Sequence, residues 1–262
     1  MDLQLRDRTV LVTGGSSGVG LATVRLLLAE GARVVTCARR LDVLEKALAD
    51  VGAPGDRILA RACDVRDADS VRGLIAATEQ RFGGLDGLVN NAGQSRMLPL
   101  AQATLEDFRD ELDLKFAGVL NLVTHALPLL RASPQPAVVN INAVLAKQPE
   151  PRLVTTSAAR AGLLNLTKSM AIEYAADGIR VNSVCLGLVD TGQWRRRYDA
   201  AATELTFEEW EKEIAADRGI ALGRFGTADE VASMVVTLLS PRASYVTGAS
   251  IDVCGGVSRY VA

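Results

Sequence analysis

Short runs of β-branched and aliphatic residues alternate along this chain with longer stretches whose apolar positions recur at helical spacing. The runs at 9–13, 33–37, 57–62, 87–90, 137–142, 180–185 and 250–253 predict strands. Helical period covers 18–30, 41–50, 67–82, 104–131, 153–176, 207–217 and 227–240. Strands that alternate with helices predict a parallel sheet covered on both faces. The handedness of the crossovers makes that sheet doubly wound, an α/β Rossmann-type architecture. No internal repeat or low-complexity linker interrupts the alternation, so residues 1–262 predict a single domain. The polar stretch 187–226, with Trp194, Tyr198 and Trp210, breaks the rhythm between two strand–helix units and predicts a lobe that covers a substrate or anchors to the body.

Composition narrows the function classes. The 262 residues are 48% hydrophobic and carry a formal charge of −2, which suits one sizeable core and argues against an electrostatic nucleic-acid binder. The run Arg195, Arg196, Arg197 is the main basic cluster and is read as a solvated loop. Cys37, Cys63, Cys185 and Cys254 form no C-x-x-C pair, and the single histidine, His125, sits mid-helix. Reduced, buried thiols and no metal site are therefore expected, with His125 structural. The charged start, Met1 to Arg8, runs straight into a strand and predicts no signal peptide, and no apolar run is long enough to span a bilayer. The expectation is a cytoplasmic protein with a small-molecule substrate, binding neither nucleic acid nor membrane.

The first candidate chemistry lies where the first strand ends. Thr13-Gly14-Gly15-Ser16-Ser17-Gly18-Val19-Gly20 leads directly into a helix. Glycines at 14, 18 and 20 allow a tight turn and close approach to a pyrophosphate, and the helix N-terminus supplies amide donors. At the end of the second strand an acidic residue would hold a ribose 2′-hydroxyl and select NAD. Ala38 stands there instead, followed by Arg39 and Arg40, and a guanidinium pairs with a 2′-phosphate. NADP(H) is expected, ahead of NAD(H).

Taken together these motifs resemble the short-chain dehydrogenase/reductase family over roughly residues 5 to 257. The T-G-x-x-x-G-x-G turn, Cys63-Asp64-Val65, Asn90-Asn91-Ala92-Gly93, Leu222-Gly223-Arg224-Phe225-Gly226 and the glycines from Thr247-Gly248 to Gly255-Gly256 match its pattern. The resemblance implies cofactor contacts at Gly14, Ser16, Ser17, Gly18, Val19 and Gly20, at Arg39, at Asp64 and Val65 beside the adenine, and at Asn91, Ala92 and Gly93. It adds Val189 and Thr191, with Thr191 at the nicotinamide carboxamide. It also implies an oxidoreductase acting on a carbonyl, alcohol or enone, and assembly as a homodimer or homotetramer. Apolar residues on 104–131 and 153–176, including Val119, Leu120, Leu163, Leu164 and Leu166, suit such pairing.

The family's catalytic set is absent. The resemblance implies a Tyr that protonates the carbonyl, a Lys four residues later, an upstream Ser and an Asn on the preceding helix. Those positions hold Thr156, Arg160, Ala143 and Lys115, and Tyr-x-x-x-Lys occurs nowhere in the chain. An aliphatic hydroxyl is a far weaker acid than a phenol. Arg160 shares the helix face of Thr156 and retains the capacity to bind ribose hydroxyls. Asn142, beside Ala143, offers an amide, with Thr156 or Ser157 as a relay. Lys115, next to Arg160 and partly desolvated, is a candidate proton donor, unless it merely salt-bridges to Asp113, Glu111 or Glu173. Three readings stay open: a rebuilt oxidoreductase, a non-redox enzyme of elimination, cyclisation or isomerisation, and a non-catalytic cofactor-binding protein.

Overall fold

A computed structural model describes residues 2–93 and 95–260. Its centre is a seven-stranded parallel sheet built from β1 (Thr9–Thr13), β2 (Arg33–Ala38), β3 (Ile58–Ala62), β4 (Gly87–Asn90), β5 (Ala137–Ala143), β6 (Arg180–Leu186) and one further strand near the C-terminus, Ser250–Val253. The spatial order is β3-β2-β1-β4-β5-β6 and then Ser250–Val253. The order reverses between β1 and β4, and the crevice at that switch point lies outside the carboxyl ends of the strands.

Alternation along β1 explains the two-sided core. Leu11 packs with Leu88, Val138 and Val181 on one face, against α3 (Ala68–Phe82), part of the 104–131 region and α6 (Val154–Glu173). Val10 and Val12 pack with Val34, Val89 and Val139 on the other face, against α1 (Gly18–Ala29), α2 (Leu41–Asp50) and the helix Ala228–Leu239. Central strands buried on both faces are mainly apolar, as β1, β4 and β5 are, and the buried Asn90, Asn140 and Asn142 among them are hydrogen-bonded.

The region 104–131 is not the single regular helix that its period predicts. It divides into α4 (Leu105–Leu112), a π-helical segment Asp113–Ala117 and α5 (Gly118–Ala132). The wider turn accommodates one extra residue, and such segments recur at functional sites. After β6 the polar stretch folds into β7 (Val189–Asp190), α7 (Gly192–Ala201), α8 (Phe207–Arg218) and β8 (Gly226–Thr227), followed by α9 (Ala228–Leu239) and β9 (Ser250–Val253). α7 is an addition to the predicted helices. Its only large apolar side chains are Trp194 and Tyr198, at i and i+4, and these join Phe207, Trp210 and Phe225 with ring centroids 4.8–6.0 Å apart. Among the described residues all four cysteines are free, no cluster suits a metal ion, and no helix is long and apolar enough to cross a membrane.

Candidate functional site

One cleft of about 690 Å³ runs along the carboxyl ends of the strands from β2 and β3 to the lobe of α7 and α8. Its middle is the turn after β1. Gly14 and Gly18 hold φ of +71° and +53°, which side chains disfavour, and the amides of Gly14 and Gly15 donate to the Cys37 carbonyl. A β-carbon on Gly20 would stand 2.2 Å from the Gly14 carbonyl oxygen and 2.5 Å from Asn91 Nδ2. That packing leaves the turn's main chain bare toward the cleft. Asn91 Nδ2 donates to the carbonyls of Thr13 and Gly14, and the Thr13 hydroxyl accepts from the amides of Asn91 and Ala92. The loop after β4 is thereby tied to the turn after β1. Ser17 caps α1 by backbone alone, and no acidic residue occupies the first turn, so that helix N-terminus keeps its amides and positive dipole end for an outside anion.

Toward β2 and β3 the cleft meets Ala38, Arg39, Arg40, Asp64, Val65 and Arg66. Arg40 pairs with Asp42 at 3.0 Å and Arg66 with Asp64 at 2.8 Å. Arg66, chiefly through its hydrogen bond, holds the Asp64 carboxyl below the usual range, and Arg39 adds to the effect. No ion pair involves Arg39 among the described residues, and its guanidinium is exposed at the cleft edge.

The other end is floored by two cations and a carboxylate. Lys115 projects from the π-helical segment and is 4% exposed, yet it lines the cleft. Its Nζ lies 3.2 Å from where a β-carbon on Gly93 would stand. Glu111, one turn earlier and equally buried, approaches Nζ to 3.7 Å. Burial pulls the Lys115 pKa down to about 8, the Arg160 charge adds to the fall, and Glu111 opposes it. Arg160 is 8% exposed and lines the cleft, and its Nε and Nη1 have no hydrogen-bond partner among the described residues. Buried guanidinium N–H groups ordinarily find acceptors. Burial lowers its pKa, though a guanidinium stays protonated.

Of the residues expected at this site, Gly14, Ser16, Ser17, Gly18, Val19, Arg39, Asp64, Val65, Asn91, Ala92, Gly93, Lys115, Arg160, Val189 and Thr191 all line the cleft. Three do not. Gly20 sits behind the turn as a close-packing residue. Asn142 faces away because side chains alternate along β5: its neighbour Ala143 lines the cleft, while Asn142 Nδ2 donates to the Arg160 carbonyl and Oδ1 accepts from the Ala143 amide. Thr156 is fully buried under the loop after β4, and its hydroxyl accepts from the Arg96 amide at 3.3 Å. The amide of Leu98 bonds the Arg152 carbonyl and holds that loop down. The catalytic expectations for Asn142 and Thr156 are corrected accordingly. Leu145 and Val144 add apolar walls.

The lobe supplies the outer wall. Trp194 lines the cleft, whereas Tyr198 and Trp210 do not. Tyr198 donates to the Leu205 carbonyl, and with Phe207 it anchors the lobe. The arginine run lies on a helix and not in a loop, with Arg195 and Arg196 exposed and Arg197 half-buried. Arg195 pairs with Asp190 at 2.5 Å, while Arg196 and Arg197 both line the cleft. The sequence does not single them out, because α7 lacks the apolar stripe that marks a helix. His125 lies on α5, outside the cleft lining.

The bare glycine turn, the uncapped helix end and the partnerless Arg160 N–H groups fit a dinucleotide with its diphosphate at the turn and a ribose near Arg160. A family model described as enoyl-(acyl carrier protein) reductase matches residues 14–258. A 3-oxoacyl-(acyl-carrier-protein) reductase of Thermotoga maritima is 32% identical over 258 residues, covering 97% of this chain and 99% of that protein. A cis-4-hydroxycyclohexanecarboxylate dehydrogenase of Sinomonas cyclohexanicum is 38% identical over 254 residues, covering 95% and 96%. Among solved structures, an NADPH-bound short-chain oxidoreductase of Pseudomonas aeruginosa PAO1, described as containing an atypical catalytic center, is 46% identical with a TM-score of 0.93 and covers 98% of this chain and 100% of that one. L-sorbose reductase of Gluconobacter frateurii, complexed with NADPH and L-sorbose, is 29% identical with a TM-score of 0.94 and full mutual coverage.

Proposed function

The chain belongs to the short-chain dehydrogenase/reductase family, and from that premise we propose that it is an NADP(H)-dependent oxidoreductase of a small carbonyl, alcohol or enone, with Lys115 in place of the missing tyrosine as proton donor. The observation that carries the proposal is Lys115 itself: a buried ammonium, lowered to about 8, on the floor of the cleft beside Arg160 and Gly93. A lysine tuned toward neutral pH is a competent general acid, and an occluded threonine hydroxyl is not.

Each end of the cleft then has a task. The turn at Gly14–Gly18 and the α1 N-terminus hold the diphosphate, Asp64 and Val65 flank the adenine, and Arg39 pairs with the 2′-phosphate. Support for NADP(H) over NAD(H) comes from Ala38 and Arg39 and from the NADPH in two related structures. Arg160 would give Nε and Nη1 to ribose hydroxyls, Asn91, Ala92 and Gly93 would back that ribose, and Val189 with Thr191 would hold the carboxamide. The bound cofactor supplies a hydride, or accepts one in the reverse direction. In reduction Lys115 would give its Nζ proton to the substrate's carbonyl oxygen as the carbonyl carbon is reduced. The resulting amine regains a proton from solvent at the open mouth, and the adjacent Glu111 carboxylate favours that charged form. The lobe of α7 and α8 covers the substrate, with Trp194 against it. The protein works as a homodimer or homotetramer.

A panel of ketones and enones with NADPH tests the reading. Cofactor loss equal to alcohol or saturated product is the expected result. Product formation with no cofactor loss would mean a non-redox enzyme, and tight NADPH binding with no reaction across the panel would mean a non-catalytic protein.

A further inference from the structure

The lobe end of the cleft is cationic. Arg152 from the turn before α6, Arg196 and Arg197 from α7 and Arg218 from the end of α8 line it together with one carboxylate, Glu150. Arg218 holds that carboxylate at 2.5 Å and thereby ties the lobe to the segment before α6. Arg152, Arg196 and Arg197 form no ion pair among the described residues, and Glu150, already held by Arg218, is the carboxylate that acts on Arg197. Elsewhere the arginines are commonly matched: Arg25 to Asp229, Arg57 to Asp7, Arg131 to Asp177, Arg224 to Glu230.

The three cations are not equivalent. Arg196 folds back toward the start of α7, its Nη1 3.2 Å from where a β-carbon on Gly192 would stand, beside Thr191 and Gly18. That position faces the diphosphate end. Arg197 turns the other way and stacks its guanidinium 4.4 Å over the Trp194 ring. It is half-buried; desolvation, followed by the charge of Arg218, disfavours its charged form, and Glu150 opposes them. A guanidinium held rigid on an aromatic face, partly stripped of water and crowded by another cation, is destabilised until an anion joins it. The 2′-phosphate does not meet this need, because Arg39 lies at the β2–β3 side of the sheet and Arg197 at the β6 side.

We propose that the substrate bears an oxyanion, a carboxylate or phosphate, and that Arg197 with Arg152 binds it at the mouth while the reacting carbon points inward to Lys115. The Leu145, Val144 and Trp194 walls suit a short apolar segment between the two ends. This inference rests on the oxidoreductase reading of the same cleft.

The test titrates the NADPH-saturated protein calorimetrically with a series of oxo-carboxylates from pyruvate to 6-oxoheptanoate, with their methyl esters, and with dihydroxyacetone phosphate. At least one anion should bind about 10- to 100-fold more tightly than its neutral counterpart, the size of one charge-assisted contact. Arg197→Gln should remove that difference and leave NADPH affinity unchanged. Arg152→Gln, at an exposed position where folding is not at risk, should reduce it in part. Preference for the oxo-acids or for the phosphate ester tells the two oxyanions apart. Equal binding of acids and esters, no binding by any member of the series, or an undiminished difference in both variants would overturn the proposal. Esters reduced as fast as acids would sink it while keeping the redox reading. Arg197-dependent anion binding without NADPH loss would do the reverse.

Discussion

Arg39 and Lys115 stand at opposite ends of one cleft, and each makes its own electrostatic argument. Removing the Arg39 guanidinium deletes one contact to a phosphate, worth about 1.5–3 kcal/mol. Arg39→Ala should therefore weaken NADPH binding by about 10- to 150-fold and leave NADH binding nearly unchanged, as calorimetry with both cofactors would register. For Lys115 the sign follows from its protonation. Only the ammonium donates, so turnover in the reducing direction should fall as pH rises past about 8. Lys115→Met should abolish that limb and lower turnover by roughly 100-fold while NADPH affinity stays within a few-fold. The same shift acts on stability. The unfolded lysine titrates at its ordinary 10.5 and the folded one at about 8, so between those values the unfolded chain binds more protons. Stability should rise across that window in the wild type more than in Lys115→Met, measured by denaturant unfolding on either side of it. The position of Lys115 was legible from alignment to the family pattern, and Glu111, four residues before it, from i,i+4 spacing. Asn142 and Thr156 were misread because polarity alone does not say which way a side chain faces. Strand alternation on β5 would have favoured Ala143 as the lining residue, whereas the loop that covers Thr156 is a long-range packing event with no local signal.

Among the elements, the strands of the main sheet were legible almost to the residue, because short β-branched and aliphatic runs bounded by turn residues mark them. The two misreadings have physical causes. The π-helical segment keeps an amphipathic period on either side, so the sequence does not reveal the extra residue that delivers Lys115 to the cleft. α7 lacks an aliphatic stripe and is held by two aromatics docking on α8. Its end exposes a local cost: Ala202 terminates the helix at φ +47°, ψ +40°, a left-handed conformation costing an L-residue about 1–2 kcal/mol. Ala202→Gly should relieve more than glycine's added unfolded-state entropy and stabilise the protein by roughly 0.5–1 kcal/mol, read as a higher denaturation midpoint. An unchanged or lower midpoint would show that α8 packing imposes no strain there.

At the scale of the whole molecule, α5 and α6 each carry one large apolar side chain outward. α5 leaves Leu120 43% exposed and α6 leaves Ile172 70% exposed, whereas Val119 and Leu163, expected on the same surfaces, are core residues. Self-association should cover the exposed pair. Light scattering at micromolar concentration should give the mass of a dimer or tetramer, and Ile172→Glu should lower it; a monomeric wild type would contradict the assembly. Net hydride transfer in a cleft without the usual tyrosine is what distinguishes this site. Its most direct measurement uses NADPH deuterated at the transferable position of the nicotinamide, incubated with the protein and whichever ketone the panel selects, followed by mass spectrometry of the product. The account predicts an alcohol carrying one deuterium on the former carbonyl carbon, formed in step with cofactor oxidation; a product free of deuterium, with the labelled cofactor intact, would contradict it.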